Sequence, residues 1–319
     1  DFNLFPQLGH RKYNNYREWG ADIHQQDKKF IDPVQNIPVA LRAKWGEYKN
    51  LLNGFTTVVN HGDKLDSDNE LVTVFQDCYP LHSPGFEQYW KWKLNNPFKS
   101  GKPFVMHIGE GTDKVADEEV DEVIRGNWFN KKIIAIHGIP MNRIQAEKFA
   151  GLVWCPASNY FLIGKTAAVQ QLKEMIPVVF GTDSSLSAPW NAWEQFRECI
   201  NESAVKETEL MDMLTTAPAS LWGFDNRGAL AAGKRADIVV VKNKQSLFQT
   251  NPEDILLVMH KGIVRLYDES IASQLSWLDK SVYSLIKING VVKFIQGDLP
   301  GLMTVIRSHY PEQDFPVSI

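Results

Sequence analysis

The chain has 319 residues, of which 44% are hydrophobic, 23% charged and 11% aromatic, a balance that suits one large globular unit with a smaller one attached. Its 34 basic and 38 acidic residues leave a formal charge of −4, with no basic stripe long enough to track phosphates, which argues against a nucleic-acid partner. The longest apolar runs, IIAI at 133–136 and IVVV at 238–241, fall far short of the roughly 20 residues a membrane-spanning helix needs, so a small-molecule partner is expected and a membrane is not.

The chain opens on Asp1 with no signal peptide behind it, so it is expected to begin after processing or part-way through a longer polypeptide. The first 30 residues, rich in Asn, Gln, Tyr and Trp, read as an irregular segment. From about residue 30 to 225, short β-branched runs alternate with helix-period stretches, the pattern of βα units around a parallel sheet. The strand candidates are FTTVV (55–59), LVTVFQ (71–76), PFVMHI (103–108), KIIAIH (132–137), LVWC (152–155) and PVVFGT (177–182). Helices are expected over 37–53, 84–96, 117–127, 143–150, 166–176 and 190–204. Six strands with intervening helices predict an α/β fold, a βα barrel lacking one or two strands.

Past Gly228 the composition shifts to alternating strands with Gly turns, GALAAGKRADIVVV and then ILLVMHKGIVRLY, so residues 229–319 are expected to form a small β-rich unit beside a barrel of residues 1–228. The tail segment from KINGVVKF onward predicts a strand pair joined at Asn-Gly, then an amphipathic helix that packs on the barrel or on another subunit. A homo-oligomer is left open. The three cysteines at 78, 155 and 199 form neither a C-x-x-C pair nor an even framework, which points to a reducing, cytoplasmic compartment.

Three polar residues stand at carboxyl ends of predicted strands: His107 after PFVM, His137 after KIIAI and Asp183 after PVVFGT. That rim is where a βα barrel gathers catalytic groups, and neutral imidazole with carboxylate suits a divalent transition metal. A lone histidine there is more often a satisfied strand-end residue; a trio on successive strands points to a site. Glu110 follows His107 by three residues in HIGEG, where a turn can return its carboxylate over the metal position as general base and then general acid. WCPASNYFL (154–162) places Ser158 and Asn159 just beyond a strand end, at the expected cavity mouth, and CYPLHSPG (78–85) places His82 beyond another. Trp154, Trp190 and Trp193 fall close to the rim, where flat faces can stack on a planar ring, although packing is the commoner fate of a tryptophan.

Taken together, GFTTVVNHG (54–62), FVMHIGEG (104–111), IIAIHGIPM (133–141), WCPASNYFLIG (154–164), VVFGTDSSLSA (178–188), LTTAPASLWG (214–223) and GALAAGKRADIVVV (228–241) resemble the amidohydrolase superfamily. The likeness is to its cytosine-deaminase-like branch with guanine deaminase, adenosylhomocysteine deaminase and triazine hydrolases. The resemblance implies a distorted TIM barrel with a small β-sandwich built from both chain ends, the tail here matching its C-terminal half. It implies that His107 binds metal, that Glu110 transfers protons, and that His137 holds the metal's water or is itself a ligand. Asp183 would bind metal and accept the water's proton, Ser158 and Asn159 would shape the substrate pocket, and His82 would contact substrate.

Two features depart from that pattern. The superfamily's His-x-His pair on the first barrel strand occurs nowhere in the 319 residues; the simplest account is a chain that starts just past it, with the early sandwich strands missing too. Between GFTTVV and FVMH only one convincing strand is visible, so the third barrel strand is cramped or lost. No lysine stands in LVTVFQDCYPLHS to be carboxylated and bridge two metals, so one divalent ion is expected, zinc by preference, with iron fitting nearly as well. The expected activity is hydrolysis at a non-peptide C–N bond, deamination of an amino-substituted heterocycle or amidine-like carbon. The alternatives are an amidase or dipeptidase-like hydrolase on the same barrel, and a non-catalytic barrel used as a binding scaffold.

Overall fold

The computed structural model of the chain describes residues 4–202 and 205–319. Asp1, where the barrel segment was expected to begin, and the last two positions of the helix expected over 190–204 lie outside the described residues.

The N-terminal segment is helical rather than irregular. Helix α1 (Tyr16–Gln26) is capped by Asn15, whose side chain accepts from the backbone N–H groups of Arg17 and Glu18, and α2 (Lys28–Asn36) follows at once. The buried face of α1 is Tyr16, Gly20 and Ile23, a helical spacing hidden in the sequence because its middle position is a glycine. Gly20 is there for close approach: a Cβ would meet the Phe86 ring at 3.2 Å.

After α3 (Val39–Leu52), two short parallel strands pair with each other, β1 (Thr57–Val59) and β2 (Thr73–Phe75). The next strand, β3 (Tyr79–Leu81), lies where the sequence reads as a loop. It is three residues long and contains Pro80, which is tolerated because β3 is the edge of the larger parallel sheet. Between β1 and β4 there are thus two strands where one was expected.

The parallel sheet continues through β4 (Phe104–Ile108), β5 (Ile133–His137), β6 (Gly151–Trp154) and β7 (Val178–Phe180), in the order β3-β4-β5-β6-β7. The connecting helices are α4 (Trp90–Leu94), α5 (Lys114–Gly126), α6 (Arg143–Ala146), α7 (Pro156–Leu162) and α8 (Val169–Leu172). Beyond β7 lie α9 (Ala192–Asn201), α10 (Glu207–Leu214) and α11 (Thr216–Leu221). Strand neighbours in sequence are neighbours in space, which gives a distorted α/β barrel. Its core runs through Phe104, Met106, Ala135, Leu152, Trp154 and Val178 to Val120 and Val123 of α5. The helix expected over 84–96 shrinks to five residues because Pro84 and Gly85 open it and Tyr89, at φ +60°, forces a left-handed step before Trp90.

The tail folds as an antiparallel sheet of β8 (Ile238–Val241), β9 (Ile255–His260), β10 (Ile263–Asp268), β11 (Tyr283–Ile288) and β12 (Val291–Gln296), in the order β11-β12-β10-β9-β8. Asn289 and Gly290 turn the last hairpin with φ +47° and +80°, the positive pair a two-residue hairpin favours. Helix α12 (Leu299–His309) follows, and its Leu299, Met303 and Ile306 share a core with Trp45, Tyr48 and Leu52 of α3. No helix among the described residues is long and apolar enough to cross a membrane.

One ion pair sits inside this sheet. Lys293 is fully buried and its Nζ donates to Asp268 Oδ2 at 2.8 Å and to the carbonyls of Glu253 (3.0 Å) and Ile255 (2.7 Å). Removing one partner would leave a buried charge uncompensated, so Asp268→Ala is expected to destabilise the protein by about 3–5 kcal/mol. Urea unfolding measures this, and a loss below about 1 kcal/mol would contradict the account.

Candidate functional site

Three βα turns place the polar residues of the sheet's carboxyl edge. His107 lies within β4, His137 ends β5, and Asp183 follows β7 by three residues. Both His137 and Asp183 occupy left-handed backbone, at φ +72° and +53°, and the glycines beside Glu110 and His137 do likewise, Gly109 at +63° and Gly138 at +56°. A non-glycine residue held there costs about 1–3 kcal/mol and persists only where its surroundings fix it. Part of the fixing is visible: Gly138 N–H donates to the Ile108 carbonyl and Ile139 N–H to the Gly109 carbonyl, both at 3.0 Å, so the turns after β4 and β5 are zipped together.

The side chains converge. His137 Nε2 lies 3.3 Å from Glu110 Oε2 and 3.8 Å from Asp183 Oδ2. The His107 ring stacks against that of His137 with centroids 5.5 Å apart, and lies 5.1 Å from His82 and 5.0 Å from His61. His137, Cys155 and Asp183 each offer a donor atom within 4.8 Å of the others.

Hydrogen bonds behind the two central histidines define their tautomers. Asn159 Nδ2 donates to Thr166 Oγ1 at 3.0 Å, which turns Asn159 Oδ1 toward His137 Nδ1 at 2.8 Å. An amide oxygen only accepts, so Nδ1 carries the proton and the Nε2 lone pair faces the two carboxyls. His107 Nδ1 likewise meets the His82 carbonyl at 2.8 Å, which leaves its Nε2 as the lone-pair nitrogen. The His137 lone pair, a carboxylate and a buried sulfur therefore converge, with the His107 imidazole stacked beside them, a set of acceptors that suits a divalent ion of the zinc or iron type.

The two acids are driven apart. Burial pushes the Glu110 carboxyl well above the ordinary range, and the charges of Asp183 and Glu119 push it further. Burial also acts to raise Asp183, but His137, a hydrogen bond from Ser158, His107 and the N–H of Ser184 at 2.7 Å outweigh it and hold the acid below its usual value. The two carboxyls are thus pushed in opposite directions, Glu110 toward its acid form and Asp183 toward its anion, the division that assigns acid and base in paired-carboxyl sites. Burial, with the neighbouring His137, pulls the His107 imidazole down to about 4, so it stays neutral.

Of the residues singled out from sequence, His107, Glu110, His137 and Asp183 come together, and His82 stands exposed beside His107. Ser158 and Asn159 do not line the cavity mouth. They belong to α7, are 1% and 0% exposed, and sit behind the site, Ser158 bonded to Asp183 and to Ser187 and Asn159 to His137. The correction follows from Pro156, which starts a helix directly after β6 and turns the segment inward. Trp154 and Trp193 are core residues, at 0% and 7% exposure, rather than stacking platforms. His61 and Cys155 were missed. His61 follows β1 by two residues and Cys155 follows β6 directly, so the strand-end criterion that found His107 and His137 would have found both. Burial pulls His61 down to about 3 and pushes the Cys155 thiol well up.

Comparison with known proteins agrees with this picture. A family described as the amidohydrolase family matches residues 43–264. The 5-methylthioadenosine/S-adenosylhomocysteine deaminase of Pyrococcus horikoshii is 28% identical over 179 residues, covering 49% of this chain and 42% of that protein. The enzyme of the same description from Haloarcula marismortui is 26% identical over 201 residues, 56% of this chain and 46% of its own length. The chain thus spans less than half of these curated relatives. In fold it is similar to Helicobacter pylori aminofutalosine deaminase in complex with methylthio-coformycin, with TM-score 0.59 at 12% identity over 82% of this chain and 85% of that one. It is also similar to a triazine hydrolase variant, with TM-score 0.56 at 14% identity over 82% and 78%.

Proposed function

Because the chain belongs to the amidohydrolase family, we propose that it serves a metal-dependent hydrolase acting at a non-peptide C–N bond, and that the reaction is deamination of an amino-substituted heterocycle. The observation that carries this reading is His137 Nε2 held 3.3 Å from Glu110 and 3.8 Å from Asp183, with the two acids pushed in opposite directions. A single divalent ion, zinc by preference and iron as the alternative, would be held by His137 and Asp183, whose donor atoms lie within 4.8 Å of each other and of Cys155, with the His107 imidazole stacked beside them as a further ligand. When bound, such an ion supplies Lewis acidity and makes a water nucleophilic at neutral pH.

The protein's own groups do the proton handling. Asp183, ionised, accepts a proton as water attacks the ring carbon and Glu110 donates its own to the ring nitrogen; Glu110 then takes the proton of the new hydroxyl group and delivers it to the amino group, which leaves as ammonia, and Asp183 returns its proton to Glu110. The balance is one amine and one water consumed, one carbonyl and one ammonia formed. His137 presents its lone pair to the same point, and Asn159 keeps that lone pair outward. His82, exposed beside His107, is placed to contact substrate, whereas Ser158 acts by holding Asp183. The boundary between barrel and β-rich unit is taken at Gly228.

Asn159→Leu removes the acceptor that fixes the His137 tautomer without changing side-chain size much. It is expected to lower kcat by about 10–100-fold, measured at saturating substrate, and an unchanged kcat would remove Asn159 from the site. The relatives' names put adenine nucleosides carrying a 5′-thioether first among substrates to try. Ammonia release from these, and from pterins, other purines, pyrimidines and triazines, supports the reading; amine release from acylated amino acids with no ammonia from any ring would replace it with the amidase.

A further inference from the structure

We propose that Glu119 is a positioning residue for Glu110, a carboxylate clamp on the turn that carries the proton donor; the inference rests on the reading of Glu110 given above. Glu119 lies on the inner face of α5, at a spacing shared with Ala116, Val120 and Val123, and is 2% exposed. A carboxylate among apolar neighbours needs a full set of partners, and this one has three, on two segments. Its Oε2 accepts the backbone N–H of Gly109 at 2.9 Å; its Oε1 accepts the Tyr16 hydroxyl and Arg17 Nη2, each at 3.0 Å. The Tyr16 oxygen in turn accepts the N–H of Gly85 at 3.1 Å, on the loop that follows His82.

The turn that carries Glu110 is thereby held from both sides. The Gly109 N–H, one residue before it, is bound by Glu119, and the carbonyl of Glu110 itself accepts the N–H of Tyr16 at 3.0 Å. The Gly109 carbonyl is taken by Ile139 N–H. Gly109 stands at φ +63°, where a Cβ would meet Pro140 and Val120 at 3.0 Å, so the turn is close-fitting and left-handed, and the clamp selects this conformation over the extended ones a glycine otherwise samples. A reacting carboxyl displaced by about 1 Å can lose 10²-fold in rate, and Glu119 is the α5 side chain that accepts this turn's N–H.

Glu119→Asp keeps the charge but withdraws it by one methylene from Gly109; Glu119→Gln keeps the length and an oxygen for the Gly109 N–H. In the full-chain holoenzyme, with a ring substrate that the wild type deaminates, E119D is expected to lose about 100-fold in kcat with KM and metal content unchanged. E119Q should recover most of that loss, which a role in stability alone would not produce. Hydrogen exchange of residues 107–112 reads the clamp without turnover: protection falls in E119D and returns in E119Q. Wild-type kcat and protection in folded E119D overturn the proposal, as does a loss confined to KM. If the wild type deaminates nothing, the functional reading has failed; exchange then decides the clamp alone, and unchanged protection in E119D overturns that as well.

Discussion

Glu110→Gln is expected to reduce turnover by at least about 10³-fold while the bound metal stays at the wild-type level. Loss of a general acid costs about 10²–10⁴-fold, and here the same carboxyl is asked to donate twice. The variant isolates that role. Burial pushes the Glu110 carboxyl toward its neutral form, and the amide is a neutral group of almost the same shape, so little change in folding stability is expected. The glutamine can still hydrogen-bond across the 3.3 Å to His137 Nε2, but it has no acidic proton for the ring nitrogen or the ammonia. Activity within tenfold of wild type, at matched metal content, would remove Glu110 from the proton path.

Asp183→Asn is expected to behave differently, losing metal and turnover together, the latter by about 10³-fold or more when both ligand and base are lost. Asparagine is the informative choice because Asp183 stands at φ +53°, a conformation that Asn adopts readily and β-branched or bulky residues do not. The amide oxygen can also keep the 2.7 Å contact to the Ser184 N–H. What disappears is the charge that His107 and His137 face, and with it the anionic ligand. Metal analysis alongside kcat checks the prediction. Retention of both metal and activity would mean that Asp183 holds the loop and nothing more.

The strand-end rule carried most of the site that sequence could show. His107, His137 and Asp183 were found because each ends an apolar run, and the structure brings all three to one edge of the sheet. The same rule applied to FTTVVNHG and LVWC yields His61 and Cys155 as well. Other features were not legible for physical reasons. The direction of Ser158 and Asn159 depends on whether the chain after β6 turns out or in, and one proline at the first position of α7 decided it. Strand β3 is too short and too close to a proline for any period to register, and exists because it adds to the edge of a sheet already formed. The helices of the first 36 residues are hidden by polar composition and by a glycine at the centre of the buried face of α1. Glu119 carries no signal in sequence at all: it reads as one more acid in DEEVDE, and only the approach of Gly109, Tyr16 and Arg17 gives it meaning.

The central claim is that these residues hold one catalytic metal ion, and the metal content per chain of protein purified without chelator tests it most directly. Elemental mass spectrometry is predicted to find about one equivalent of zinc or iron in the wild type, retained in E110Q and lost in D183N. A wild-type protein that binds neither ion, even after incubation with each, would contradict the account and leave a barrel whose converging acceptors hold no catalytic metal.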